Sequence, residues 1–289
     1  MSEPCVQMSE PCVLCGEERT EKLFDKGGKD FVRCRECGLV RVDPLPSVAE
    51  IAAYYQEAYD GGTYTSFVEA EEIRRLIAEH RLDRVRAVAP PGRWLDVGCS
   101  TGQFVEAAAR EGIAAQGIDV SPGAVRLARE RGLRAEVARV EDFVPDGSFD
   151  VITAFDVIEH SRDPGAFVDR LREWLSPKGK LVLTLPDVSS IYPRILMRKH
   201  WFYYAPNDHL FYFDPGTIRA LLDSHGFHVK SVERAYKPLT AAYVVAQLEH
   251  FNPLLGAPAR LGSRMLGKAL LQRPLPLYVG EMHVVGERA

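Results

Sequence analysis

RWLDVGCSTGQF, residues 93–104, decides the fold. Arg93 to Gly98 reads as a short apolar strand, and CSTGQFVEAAAREG reads as a turn and then a helix stopped by Gly112. The same alternation continues downstream. AAQGIDVS is a second strand, and PGAVRLARERG is a second helix with Pro122 near its start and Gly132 after its end. RAEVARVEDF holds a third strand. FDVITAFDVIEH is a fourth, apolar almost throughout, as a strand covered on both faces should be. PGAFVDRLREWLSPKG is an amphipathic helix, and GKLVLTLP is a fifth strand. DPGTIRALLDSHGF is a helix capped by Asp214 and stopped by Gly226, HVKSVERA is strand six, and GEMHVVGER is the last strand. Strands alternating with helices predict a doubly wound, largely parallel α/β sheet.

The loop after the first strand indicates which ligand that sheet suits. DVGCSTGQF is neither G-x-G-x-x-G nor G-x-x-x-x-G-K-[ST], and it contains no lysine to cradle a triphosphate. Asp96 ends the strand where a pyrophosphate would be repelled. A cofactor carrying an ammonium and a sulfonium, with no phosphate, suits such a loop better. Asp119 ends the second strand, where a carboxylate can accept from both hydroxyls of a ribose.

With LDVGCSTG, GIDVS, VEDF, FDVITAFDVIEHSRDP and LSPKGKLVLTLP in this order, the chain resembles the class I S-adenosylmethionine (SAM)-dependent methyltransferases from about Arg93 to Arg234. GEMHVVGER resembles their final strand. The resemblance implies a Rossmann-like, seven-stranded sheet, mostly parallel, with the last strand antiparallel. It also implies residue roles. Asp96, Gly98 and Gly102 shape the site for the methionine half, and Asp119, followed by Val120, holds the ribose. Glu141 and Asp142 lie near the adenine, Phe155 and Asp156 line the cofactor's edge, and Tyr64 closes over the methionine end. Ser100 stands where the family usually has glycine; it is small, and its hydroxyl is a cofactor-binding candidate.

The first residues carry a different signal. Cys12-x2-Cys15-x18-Cys34-x2-Cys37 has the spacing of a zinc ribbon. Each Cys-x2-Cys turn presents two thiolates, and Gly16 and Gly38 let the backbone turn tightly behind them. Four thiolates complete a tetrahedral shell, so the expected Zn2+ is structural. MSEPCV occurs at residues 1–6 and again at 8–13, which makes Cys5 a surplus copy of Cys12. The expected division is a ribbon over 1–46, a helical linker over 47–90 that contributes to the cofactor site, and a methyltransferase domain over 91–289. With the later HLFYFDPGTIRALLDSHGF, the ribbon resembles a bacterial subgroup associated with sugar, polysaccharide and natural-product pathways.

Hydrophobic residues make up 46% of the 289, charged residues 26%, and the net charge is −4. That balance argues against a nucleic-acid partner held by phosphate neutralisation. No apolar run approaches the ~20 residues of a membrane span. The polar N-terminus has no signal-peptide core, so the expected location is cytoplasmic.

Methyl transfer to a hydroxyl or carbon acid needs a proton acceptor, and histidine is matched to that task near neutral pH. His160 lies just past strand four and reads either as a base or as a capping or packing residue. His209 lies in NDHLFYF, within the lid-like segment 187–214, and reads as a substrate-site base or as part of an aromatic core. The insertion 239–272 interleaves apolar groups with Arg260, Arg264 and Lys268; it reads as a pocket cap, a homodimer face or a peripheral membrane contact. The favoured acceptor is a small molecule or a carbohydrate-containing one, with a lipid-linked or isoprenoid acceptor as the alternative. A reading from another class makes the chain a ribbon-based protein-binding module with an inactive, cofactor-binding core.

Overall fold

The computed structural model describes the backbone of residues 5–7, and residues 10–51, 53–54, 71–89, 91–245, 258, 260–261 and 271–289. Tyr64 and most of the 239–272 insertion lie outside them.

The chain opens with four strands, β1 (Cys5–Gln7), β2 (Arg19–Lys26), β3 (Lys29–Cys34) and β4 (Val40–Asp43). Gly27 and Gly28 close the β2–β3 hairpin with φ of 59° and 77°, a turn that needs positive φ at both central residues. Helix α1 (Glu71–Arg86) then leads into the alternating region. Its elements are β5 (Arg93–Val97), α2 (Gln103–Arg110), β6 (Ala114–Asp119), α3 (Pro122–Glu130), β7 (Ala135–Val137), β8 (Phe149–Phe155), α4 (Pro164–Trp174) and β9 (Leu175–Pro186). After it come β10 (Phe211–Tyr212), α5 (Pro215–Ser224), β11 (Phe227–Thr240) and β12 (Pro274–Arg288).

Helices α3, α4 and α5 start alike. Ser121, Asp163 and Asp214 each accept a backbone N–H three residues on, and each is followed by Pro-Gly. Proline at the first helical position has no N–H to leave orphaned, and each cap contributes roughly 1 kcal/mol.

The large sheet has the order β11-β12-β9-β8-β5-β6-β7. Pairs β5–β6, β6–β7, β5–β8 and β8–β9 are parallel, while β12 is antiparallel to both β9 and β11. This is the seven-stranded, Rossmann-like arrangement expected from the sequence. Strand order reverses at β5, so the crevice beyond the carboxyl ends of β5, β6 and β8 is where a ligand sits in such sheets.

Strands β11 and β12 both run further than their sequence patterns indicate. The alternation breaks at a bulge, where Ala235 pairs with Glu281 but Tyr236 pairs with Tyr278. Gly280 sits in that bulge with φ 89°; a Cβ there would lie 3.0 Å from Ser190 Oγ and 3.0 Å from the Tyr192 ring.

The N-terminal strands do not stand alone. They form a second sheet of order β1-β2-β3-β4-β10, whose last member comes from the 187–214 segment. Phe211 pairs with Arg41 and Tyr212 with Val40. Phe31, Val40 and Val42 of the ribbon share one buried cluster with Trp201, Tyr204, Tyr212, Leu183 and Val284. Phe31 lies 5.0 Å edge-on to Tyr204 and 5.3 Å from Tyr212, so aromatic packing fastens ribbon to sheet.

Candidate active site

The loop from Gly98 to Gly102 is shaped by its own backbone. Gly98 and Gly102 adopt φ of 74° and 86°, and Ser100 adopts φ 50°. Added Cβ atoms would fall 2.5 Å from Val157 at Gly98 and 2.6 Å from Leu133 at Gly102, so both positions are closed to side chains. Asp119 ties the loop down: its Oδ2 accepts the Ser100 N–H at 2.8 Å, and its Oδ1 accepts the Ser121 N–H at 2.8 Å. Burial raises the Asp119 carboxyl above its ordinary range, against those two donors. Asp96 is 4% exposed and accepts from the Thr153 hydroxyl at 2.6 Å. Burial pushes its pKa up to about 7.

The remaining cofactor candidates surround this loop. Phe155 is buried, edge-on to Phe104 at 5.0 Å. Val120 is 48% exposed, and Glu141 and Asp142 are exposed on the turn after β7. The Ala138 N–H of that turn donates to the Asp119 carbonyl at 3.1 Å, which brings the turn alongside the β6 end.

Helix α1 adds two groups that the sequence reading missed. Arg74 donates to Ser100 Oγ at 2.8 Å. Arg81 pairs with Asp156 at 2.6 Å and lies 4.6 Å over the Phe155 ring. Residues seven apart fall on one helix face, which brings Arg74 and Arg81 to the same edge.

A second polar cluster lies further along the same edge, beyond β8, β9 and β12. Asp156, at φ 58°, meets Arg81 and also Lys237 of β11 at 3.6 Å. Burial works against its charge, but Lys237 and Arg81 outweigh it and hold the carboxyl below the usual range. Lys237 also pairs with Glu281 of β12, and the Tyr203 hydroxyl donates to the same Glu281 oxygen. Glu281 is fully buried, and burial raises its carboxyl well above the ordinary value.

Both candidate histidines are here. His160 closes a short 3₁₀ turn, Ile158–His160, after β8. Its ring packs edge-on against His209, with centroids 4.6 Å apart. His160 Nδ1 lies 2.9 Å from Asp208 Oδ1. Burial disfavours the His160 cation, but Asp208 more than offsets this and lifts its pKa to about 9. His209 is 7% exposed, stacks on Tyr203 at 5.7 Å, and its Nδ1 has no partner among the described residues. Burial, and then the neighbouring His160 charge, lower its pKa to about 3. Glu159 is 1% exposed with both oxygens unpartnered among the described residues; burial raises it to about 8. Near pH 7 the cluster therefore holds a charged His160 and a neutral His209. Within NDHLFYF, Phe211, Tyr212 and Phe213 are core, while His209 joins a polar cluster. His200, by contrast, is exposed.

At the other end of the chain, Cys12, Cys15, Cys34 and Cys37 bring one Sγ each within 4.8 Å of one another. Sγ separations are 3.6 Å for Cys12–Cys37 and 3.5 Å for Cys15–Cys34. A tetrahedron with Zn–S near 2.3 Å has edges of roughly 3.8 Å, so the four thiols fit that ion. Gly16 and Gly38 stand behind each pair with φ 75° and 80°.

The family model described as a methyltransferase domain matches residues 69–232, more than half of the chain. The chain belongs to the methyltransferase-domain family. Among relatives of this methyltransferase-domain protein, the ubiquinone biosynthesis O-methyltransferase of Xanthomonas campestris is 41% identical over 114 residues, 36% of this chain and 48% of that protein. The chain thus spans about half the length of that relative. The Xylella fastidiosa protein of the same name is 30% identical over 179 residues, 55% of this chain and 71% of its own. Solved methyltransferases share the fold. A SAM-dependent methyltransferase of Thermotoga maritima superposes with TM-score 0.54 at 18% identity, over 78% of this chain and 96% of its own. One from Archaeoglobus fulgidus gives 0.52 at 19%, over 77% and 99%. The class I methyltransferase sheet, read from the motif order, is therefore the fold of this methyltransferase-domain protein.

Proposed function

We propose that the protein is a SAM-dependent methyltransferase that methylates a hydroxyl of a small-molecule acceptor. The observation that carries the reading is Asp119, fixed at the carboxyl end of β6 by two backbone N–H groups, one on each oxygen. A carboxylate so held accepts from ribose hydroxyls without reorganising. Asp96 meets the cofactor's ammonium, and Arg74 or Arg81 its carboxylate. Ser100, Gly98 and Gly102 form the floor, with Val120, Glu141, Asp142 and Phe155 around the nucleoside. The acidic loop suits a positively charged cofactor and repels a phosphorylated one.

The cofactor supplies an activated methyl group on a sulfonium. The protein aligns the acceptor oxygen in line with that methyl and takes the proton. His209 is the proton acceptor: it is neutral, nearly dry, and its Nδ1 has no partner among the described residues. As the carbon–oxygen bond forms and the carbon–sulfur bond breaks, the hydroxyl proton passes to Nδ1. Burial and the His160 charge oppose the resulting imidazolium, and Asp208 and Asp156 offset them only in part. His160, already charged, serves as a neighbour rather than as the base. The O-methyltransferase names of the relatives support a hydroxyl acceptor. A carbohydrate-containing acceptor and a lipid-linked one both supply such a hydroxyl. Four clustered thiols support a structural Zn2+ in the ribbon.

Calorimetry with SAM tests the cofactor site. Asp119→Ala is expected to weaken binding about a hundredfold, since hydrogen bonds to a charged group are worth ~1.5–3 kcal/mol each. Unchanged affinity would remove the ribose assignment.

Asp96 gives a pH test. Its folded pKa of about 7 lies above the ordinary value of 3.8, so between those values the cofactor-free fold loses stability as pH rises. Pairing with the ammonium needs the ionised form, so SAM affinity should move the opposite way. It is expected to rise nearly tenfold per pH unit below about 7 and to level off above it. Asp96→Asn should flatten that slope. A pH-independent affinity in the native protein would contradict the assignment.

A further inference from the structure

We propose that the surface of residues 191–199 is a membrane-docking face that seats the enzyme on an anionic lipid bilayer beside its acceptor edge. Ile191, Ile195 and Leu196 are 48%, 67% and 62% exposed. Arg194, Arg198 and Lys199 stand exposed among them. Among the described residues none of these three cations is in an ion pair. Elsewhere on the surface arginines are paired: Arg75 with Glu72 and Glu79, Arg86 with Glu111, Arg110 with Glu106, Arg170 with Glu173. No acidic residue occurs between Asp187 and Asp208, although the whole chain carries 40 acidic against 36 basic residues.

Exposed aliphatic side chains need a partner with an apolar interior, and unpaired cations need one with negative charge. A bilayer of anionic lipids offers both at the depth where such side chains meet it: the acyl boundary for the aliphatics and the headgroups for the cations. An acidic protein partner would satisfy the cations but would leave three aliphatic chains on a polar surface. A second copy of this chain would set like charges against like.

The face is braced on the acceptor edge. The Tyr192 hydroxyl donates to the Tyr278 carbonyl at 2.5 Å, and Gly280 passes beneath Ser190 and Tyr192. The next residue, Glu281, receives the Tyr203 hydroxyl within the acceptor cluster. Docking here places the bilayer against the pocket wall, so the acceptor class it implies is an amphipathic or lipid-linked hydroxyl compound. This last step rests on the acceptor edge proposed above; the docking face itself does not.

Sedimentation with vesicles tests the face without any turnover. The full chain is expected to pellet with phosphatidylglycerol/phosphatidylcholine vesicles, to stay in the supernatant with pure phosphatidylcholine, and to be released by high salt. Removing the three cations as Arg194→Gln, Arg198→Gln and Lys199→Gln should weaken binding about a hundredfold. Ile195→Asp with Leu196→Asp should abolish it, while calorimetric SAM affinity stays native. Both positions are surface residues, so the melting temperature controls for folding. Failure of the native chain to bind anionic vesicles would overturn the proposal. So would native-like binding by the double variant, which would move the contact to the 239–272 insertion. A dimer in solution that the double variant dissociates, with no lipid binding, would assign the face to a second copy instead. Loss of SAM affinity in the native chain would count against the enzyme reading and leave the vesicle result standing.

Discussion

His209→Ala is expected to lower kcat by a factor of about 10²–10⁴, the usual contribution of a positioned base, with SAM affinity within twofold of native. The separation follows from geometry. Asp119 and the 98–102 loop hold one end of the crevice, and His209 lies beyond β8 with His160 and Tyr203. The pH profile sharpens the prediction. With its pKa lowered to about 3 by burial and by His160, His209 stays neutral from pH 5 upward. At saturating SAM, kcat should therefore show no acid limb near 6.5 from His209. A limb near 6.5 that the alanine variant loses would contradict the lowered pKa, and native turnover in the alanine variant would return His209 to a packing role. Parallel loss of SAM binding and turnover would do the same.

Cys34→Ser is expected to release one Zn2+ per chain, to lower the melting temperature by more than 10 °C, and to abolish turnover while SAM affinity survives. A four-thiolate site carries on the order of 10–16 kcal/mol of apparent binding free energy in small zinc domains, so losing one ligand removes much of what orders the ribbon. The effect reaches the acceptor side because β10 hangs on β4 and Tyr212 packs on Phe31. The Tyr212 hydroxyl in turn donates to the His209 carbonyl at 3.0 Å. Metal analysis, a melting curve and calorimetry on the same preparation read all three outcomes. Native protein without zinc, or a variant that turns over normally, would refute the claim.

The fold was legible where local chemistry sets it. The apolar run of β8, the Ser-Pro-Gly and Asp-Pro-Gly helix starts, and the Asp96 and Asp119 strand ends all announce themselves over a few residues. The methyltransferase sheet followed from their order. The site was half legible. His160 and His209 were singled out from the sequence alone, and they meet in space with rings 4.6 Å apart. Lys237 and Glu281 were not found. Each sits in a strand whose alternation is broken by the bulge at Gly280, and a charged residue in a strand reads as solvent-facing. Glu281 is buried and Lys237 half-buried, held by Asp156, Tyr203 and each other, which no local pattern records. Arg74 and Arg81 were passed over because α1 carries arginines on several faces, and only the folded helix shows which face meets the crevice. The pairing of β10 with β4 joins segments too far apart in sequence for any spacing rule to connect.

That pairing sets an order of assembly. During synthesis the four cysteines emerge before the large sheet, but β4 remains an open edge until residues 211–212 have left the ribosome. Meanwhile β5 to β9 can collapse on their own parallel pairings. The ribbon strands are thus made well before the strand that completes their sheet, and the unpaired β4 edge is exposed to wrong partners in the interval. His209, the proposed proton acceptor, is mounted beside β10 and takes its place only when the two ends of this delay meet.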